Sequence, residues 1–205
     1  INFSDKINLS LNSRLYNQNQ DYNAEIGTDK YVGESKINEW NNSILLNQTV
    51  SDKFKLVYDL YATNYKANEY LNDQNNQPFD ESKFNQWYFR PEIRSHYKVG
   101  KNTLSTGIGV NYETLDRTYF ENKATLNSEY IFGQFEWFIK EKWNILAGFR
   151  YDNHHQYQSQ FSPKIGVNYK WNDNFSLKTS VGYGYKAPDL RQLYFDFTNS
   201  AVGYT

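Results

Sequence analysis

Between Gln86 and Val99 the side chains divide by parity. Trp87, Phe89, Pro91, Ile93, Ser95, Tyr97 and Val99 carry no charge, while Gln86, Tyr88, Arg90, Glu92, Arg94, His96 and Lys98 include five ionisable groups. A period of two marks a strand whose faces meet different surroundings. The pattern recurs at Phe54, Leu56, Tyr58, Leu60 and Ala62, and at Ile131, Gly133, Phe135, Trp137 and Ile139. It returns three times in succession from Trp143, ending with Phe175, Leu177, Thr179, Val181, Tyr183 and Tyr185 on one side. Several patterns persist for roughly 10–14 residues, whereas soluble strands centre on ~5–6 and membrane-crossing strands need ~9–11. A charge facing lipid at mid-bilayer costs ~2–4 kcal/mol, which is reason enough for an uncharged row.

Nine strands can be placed in this way, the first over about Lys6–Tyr16 and the last over Phe175–Lys186. Tight connections, such as Ser51-Asp52-Lys53 and Gly100-Lys101-Asn102, alternate with long polar ones expected at 17–35, 68–82, 116–123 and 153–159 and from 187 onward. Short turns at one end and long loops at the other fit a membrane barrel. The expected fold class is all-β, an antiparallel up-and-down meander of about nine long strands in one domain, 1–205. Pro91 and Pro163 each remove a ladder donor, so bulges or strand ends are expected there. The alternative is a soluble or surface β-sandwich, whose inner faces also alternate, binding glycans through aromatic loops.

Composition narrows the function classes. With 22 Lys and Arg against 23 Asp and Glu, the net charge of −1 gives no field to attract nucleic acid. No window approaches the ~18 apolar residues of a membrane helix, which leaves a barrel open. Cysteine is absent, so disulfides and thiolate chemistry are too. Methionine is also absent, even at position 1, and the chain is expected to be an internal piece of a longer protein. No Gly-x-Ser-x-Gly elbow, phosphate loop or His-Glu-x-x-His pattern occurs, so no catalytic residue, metal site or cofactor is assigned. An outer-membrane enzyme with a site among the loops is the weakest alternative.

Candidate ligand-binding residues come from the charged parity and the loops. Arg90, Arg94, Arg150, Asp152 and Lys186 belong to the expected lumen face, as do Glu92, Lys164 and Lys178. His154, His155 and Tyr157 fall in an expected external loop, with Arg191 and Tyr194 in another. Loop aromatics, Tyr22, Tyr31, Tyr70, Tyr119 and Phe195 among them, can stack on a ligand or form an interfacial belt. Trp40, Trp87, Trp137, Trp143 and Trp171 suit the belt. Inward glycines, Gly107, Gly109, Gly166, Gly182 and Gly184, either leave room inside the barrel or relieve curvature.

The last third of the chain resembles the barrel of TonB-dependent outer-membrane receptors. The matching blocks are Ala147–Asp152, Phe161–Gly166 and Gly182–Tyr194, with Lys186 where arginine is commoner. The resemblance implies part of a 22-stranded transmembrane β-barrel in the bacterial outer membrane. It further implies import of a bulky nutrient, an iron siderophore, haem or cobalamin. Its partners would be outer-membrane lipid, a plug domain absent from this chain, and TonB acting through that plug. By the same resemblance this piece lacks the TonB-contacting segment and a signal peptide.

Overall fold

The computed structural model describes residues 2–118 and 120–193. It is one antiparallel sheet in which every strand pairs with its sequence neighbours, in the order β1 to β10. A three-residue edge, β1 (Asn2–Ser4), precedes β2 (Ile7–Ile26), β3 (Asp29–Ser51), β4 (Phe54–Asn72) and β5 (Pro78–Val99). Then come β6 (Asn102–Arg117), β7 (Ala124–Ile139), β8 (Trp143–His154), β9 (Gln160–Lys170) and β10 (Ser176–Gly182). A single helical turn, α1 (Leu190–Leu193), follows. The nine strands after β1 are those placed by parity, and the all-β meander is as expected.

The uncharged rows lie on one face, and among the described residues no second sheet covers them. Phe89 is 44% exposed, Ile93 45%, Leu177 60% and Val181 69%, which removes the sandwich. The tryptophans form two levels on this face. Trp40 and Trp87 flank Asn64 toward the long hairpins, their rings 5.9 Å apart. Trp143 packs on Tyr169 near the short turns, and Tyr169 meets Trp171. Interfacial placement suits indole, which is apolar in body and polar at its N–H.

The polar stretches 17–35 and 68–82 depart from expectation. Most of each is strand: β2 and β3 pair up to a Gly27-Thr28 turn, and β4 and β5 up to residues 73–77. Where both faces are wet, alternation disappears while backbone pairing continues. Gly27, with φ of 64°, permits the sharp reversal. Neither proline makes a bulge. Pro91 keeps register within β5, and the β6 ladder simply skips Arg90 and Pro91. Pro163 stays in register with Phe149, its carbonyl accepting from Tyr183 N at 2.9 Å where the β10 ladder runs out.

Gly107 and Gly109 leave no room in the lumen. The Phe132 ring covers one and the Tyr130 ring the other, so close that an added Cβ would lie 2.4 Å from either. An aromatic ring folded over a cross-strand glycine fills the gap in the sheet surface.

Candidate functional site

The strand register brings charges from β4, β5 and β8, with Tyr130 of β7 between them, into one ladder on the inner face. Asp59 faces Glu92 across the β4–β5 pair, and both Arg90 and Arg94 reach Asp59, at 3.6 and 3.2 Å. Arg94 Nε also lies 2.8 Å from Glu92 Oε1. Glu92 Oε2 accepts from the Tyr130 hydroxyl at 2.6 Å. The Arg150 guanidinium stacks 3.7 Å from the centre of the Tyr130 ring. Its Nε and Nη2 each donate to Asp152 at 2.8 Å, a two-pronged pairing with a carboxylate only 3% exposed.

Three arginines and three carboxylates thus balance. A balanced ladder of fixed donors and acceptors presents both signs to whatever fills the barrel, and it is held together by its own contacts. Arg90 Nε has no hydrogen-bond partner among the described residues, although the guanidinium lies 5.6 Å from the Tyr61 ring.

A strap roofs the end of this ladder that lies away from the short turns. Expectation continued the last strand through Tyr185, but pairing stops at Gly182, and the chain turns inward across the wall. Tyr185 OH meets His154 Nε2 at 2.7 Å. Burial, with the nearby Asp152 carboxylate adding to it, pushes this phenol up to about 12. Pro188 O accepts from Tyr157 OH at 3.4 Å. Leu190 is fully buried against Leu115, Ala124 and Leu126, the one cluster of buried apolar side chains among the described residues. Asp189 and Gln192 close the turn reciprocally: Gln192 N donates to Asp189 Oδ1 at 2.8 Å and Asp189 N to Gln192 Oε1 at 3.3 Å.

Of the residues singled out in the sequence, Arg90, Arg94, Arg150, Asp152 and His154 meet along the ladder, and Tyr157 packs under the strap. Lys186 is exposed on the strap itself. Lys164 and Lys178 face inward on β9 and β10. His155 turns to the opposite face, where its Nε2 lies 2.8 Å from Glu129 Oε1, so the adjacent histidines do not share a site. Tyr194, Tyr119, Phe195 and the Arg191 side chain lie outside the described residues. Tyr130 and Tyr185 were missed. Two glycines spaced by two in one strand signal that rings will come from the next, but only the register shows which.

A family model described as TonB dependent receptor-like, beta-barrel, matches residues 1–205. The chain belongs to the TonB-dependent receptor β-barrel family. Such receptors sit in the bacterial outer membrane, which explains the uncovered apolar face. This receptor wall is 31% identical over 93 residues to the probable TonB-dependent siderophore receptor PirA of Acinetobacter baumannii, covering 45% of this chain and 12% of that protein. It is 23% identical over 201 residues to the vitamin B12 transporter BtuB of Vibrio cholerae, covering 94% of this chain and 31% of BtuB. The chain therefore spans less than a third of either relative. The crystal structure of the siderophore receptor PirA from Pseudomonas aeruginosa superimposes with a TM-score of 0.52 at 13% identity, over 91% of this chain and 47% of that one. At that identity the likeness shows the fold alone.

Proposed function

We propose that this chain is a stretch of wall from an outer-membrane receptor that binds and imports a bulky nutrient, an iron siderophore or cobalamin. The observation that carries the reading is the family match across all 205 residues. Relatives named as siderophore receptors and a vitamin B12 transporter supply the two substrate classes. A plug carried elsewhere in the full protein fills the barrel and docks on the inner ladder. TonB supplies energy through that plug. The wall itself performs no bond chemistry. Its part is to hold a fixed surface of donors and acceptors, Arg90, Arg94, Arg150 and Asp152 among them, with the strap at the outer mouth next to His154 and Tyr157.

Deleting the gene tests this directly. Growth on one ferric siderophore as sole iron source, or on limiting cobalamin, should fail and return with the full gene on a plasmid. The purified full receptor should bind the same compound. Unchanged growth on every ferric siderophore, haem and cobalamin tried, together with no binding, would refute the reading.

A further inference from the structure

The strap is fastened to the wall by side chains more than by backbone. Tyr183 N donates to Pro163 O at 2.9 Å, and Leu193 N to Asp189 O inside the strap itself. Among the described residues no backbone hydrogen bond joins 184–188 to the wall. Three side-chain contacts hold it down: Tyr185 on His154, Tyr157 on Pro188 O, and Leu190 in its apolar socket. At its root Gly182 and Gly184 flank Tyr183, and a Cβ on Gly184 would meet nothing within 4 Å. A segment so attached can lift about its root while the sheet stays whole.

What the strap covers has the make-up of a binding site. Its floor is apolar, with Leu115 of β6, Ala124 and Leu126 of β7, and the Phe84 ring of β5 against them. Polar groups stand at the edge: the Asp152 carboxylate, His154 Nε2 and the Tyr157 hydroxyl. Ligand sites combine an apolar lining with a few placed donors and acceptors in this way. Tyr185 sets one hydroxyl among these groups, 2.7 Å from His154 Nε2 and in contact with the Asp152 carboxylate. A carboxylate only accepts, so the phenol proton goes to Asp152 and His154 Nε2 donates to the phenol oxygen. The imidazole also stands edge-on to the Tyr157 and Tyr185 rings, 5.8 Å from each centre. The place suits a neutral hydroxyl on a flat apolar body, and the chain's own tyrosine supplies one.

We propose that the strap is an autoinhibitory lid: Tyr185 holds the place of a hydroxyl group of the imported nutrient, which displaces the strap to reach His154 and Asp152. The proposal rests on the importer reading and adds to it what the nutrient carries and what its arrival moves. Cobalamin has free ribose hydroxyls, each able to accept from His154 and donate to Asp152. A ferric tris-catecholate has every phenolic oxygen on iron and brings no proton for Asp152. A masked receptor binds through the fraction whose strap is open, and its apparent affinity falls by that fraction. Opening and binding are linked reciprocally, so a change that opens the strap tightens binding by the same factor for as long as the closed form predominates.

The test uses the full receptor in micelles and two probes, cyanocobalamin and a ferric tris-catecholate, with binding read by calorimetry and strap opening by hydrogen exchange. Cyanocobalamin should bind and speed exchange in residues 185–193. Leu190→Ala, which leaves His154 and Asp152 in place, should tighten cyanocobalamin about 30-fold, the factor by which it opens the strap. Tyr185→Phe withdraws the resident hydroxyl and should tighten it about tenfold. Adding His154→Ala to Leu190→Ala should lose about tenfold of the gain, which locates the probe here and not on a loosened barrel elsewhere. Catecholate affinity should be the same with and without Leu190→Ala. Slower exchange in the strap on binding, or equal cyanocobalamin affinity in wild type and Leu190→Ala, overturns the lid and leaves the importer reading standing. So does binding of the catecholate in place of cyanocobalamin. If wild type and variants bind neither probe, the lid falls as well, and the growth test decides the importer reading by itself.

Discussion

Replacing Leu190 by alanine should loosen the strap without loosening the wall. Leu190 is fully buried, and its neighbours Leu115, Ala124 and Leu126 belong to strands paired on both sides. Truncating a fully buried leucine costs about 2–5 kcal/mol, according to how far the site collapses. A short segment attached at one end can settle into the gap, so the lower part of that range applies, about 2–3 kcal/mol. The Tyr185–His154 contact at 2.7 Å and the Tyr157–Pro188 hydrogen bond at 3.4 Å remain, and they tether the strap without filling the socket. At 1.4 kcal/mol per factor of ten, amides of residues 185–193 should exchange about 30 to 150 times faster. Hydrogen exchange read by mass spectrometry on the full receptor in micelles checks this. Unchanged exchange in the strap refutes the argument. Acceleration spread equally over β6, β7 and β8 also refutes it, since Leu190 would then support the wall.

Arg150→Ala strands the Asp152 carboxylate and should cost about 2–3 kcal/mol, below the usual range for a buried pair because the guanidinium is partly exposed. The double variant Arg150→Ala/Asp152→Ala should recover part of that loss in urea unfolding followed by tryptophan fluorescence. Gly109→Ala drives a Cβ into the Tyr130 ring and should destabilise by about 1–3 kcal/mol. Gly166→Ala, whose nearest neighbour would be 3.6 Å away, should be close to neutral in the same assay. Tyr185 favours its neutral form in the fold, so its contribution is complete below the ordinary phenol value near ~10. It is lost as pH rises toward about 12. The difference in tyrosinate absorbance between wild type and Tyr185→Phe should therefore titrate near the higher value, and a midpoint near the ordinary one counts against the contact.

Inside the bilayer the sequence spells out which side each residue faces, because a misplaced charge such as Arg94 or Glu92 would be heavily penalised there. Arg90, Arg94, Arg150 and Asp152 could therefore be assigned to the inner face from parity alone. Beyond Trp40 and Trp87 that penalty vanishes. Asn17–Ser35 reads as loop because water accepts either face, yet Tyr22 and Gly33 sit opposite each other in a regular ladder. Contacts between strands were hidden for another reason. The Tyr130–Glu92 bond joins residues 38 apart in sequence, and nothing in either strand names its partner. Tyr185 was misplaced because alternation was carried past Gly182, where Tyr183-Gly184 still obeys the rule although the chain has left the sheet.

The tall hairpins also bear on how this protein survives at the cell surface. β2 and β3 have 20 and 23 residues, roughly twice what a bilayer crossing requires, and they are paired to within two residues of each other at the tip. A protease needs several consecutive residues free to lie extended in its cleft. Here the part that reaches farthest from the cell offers almost none, because the two arms are held in one ladder up to Ile26 and Asp29. Cleavage must wait for fraying at Gly27, and armour against digestion comes with the architecture, without a disulfide.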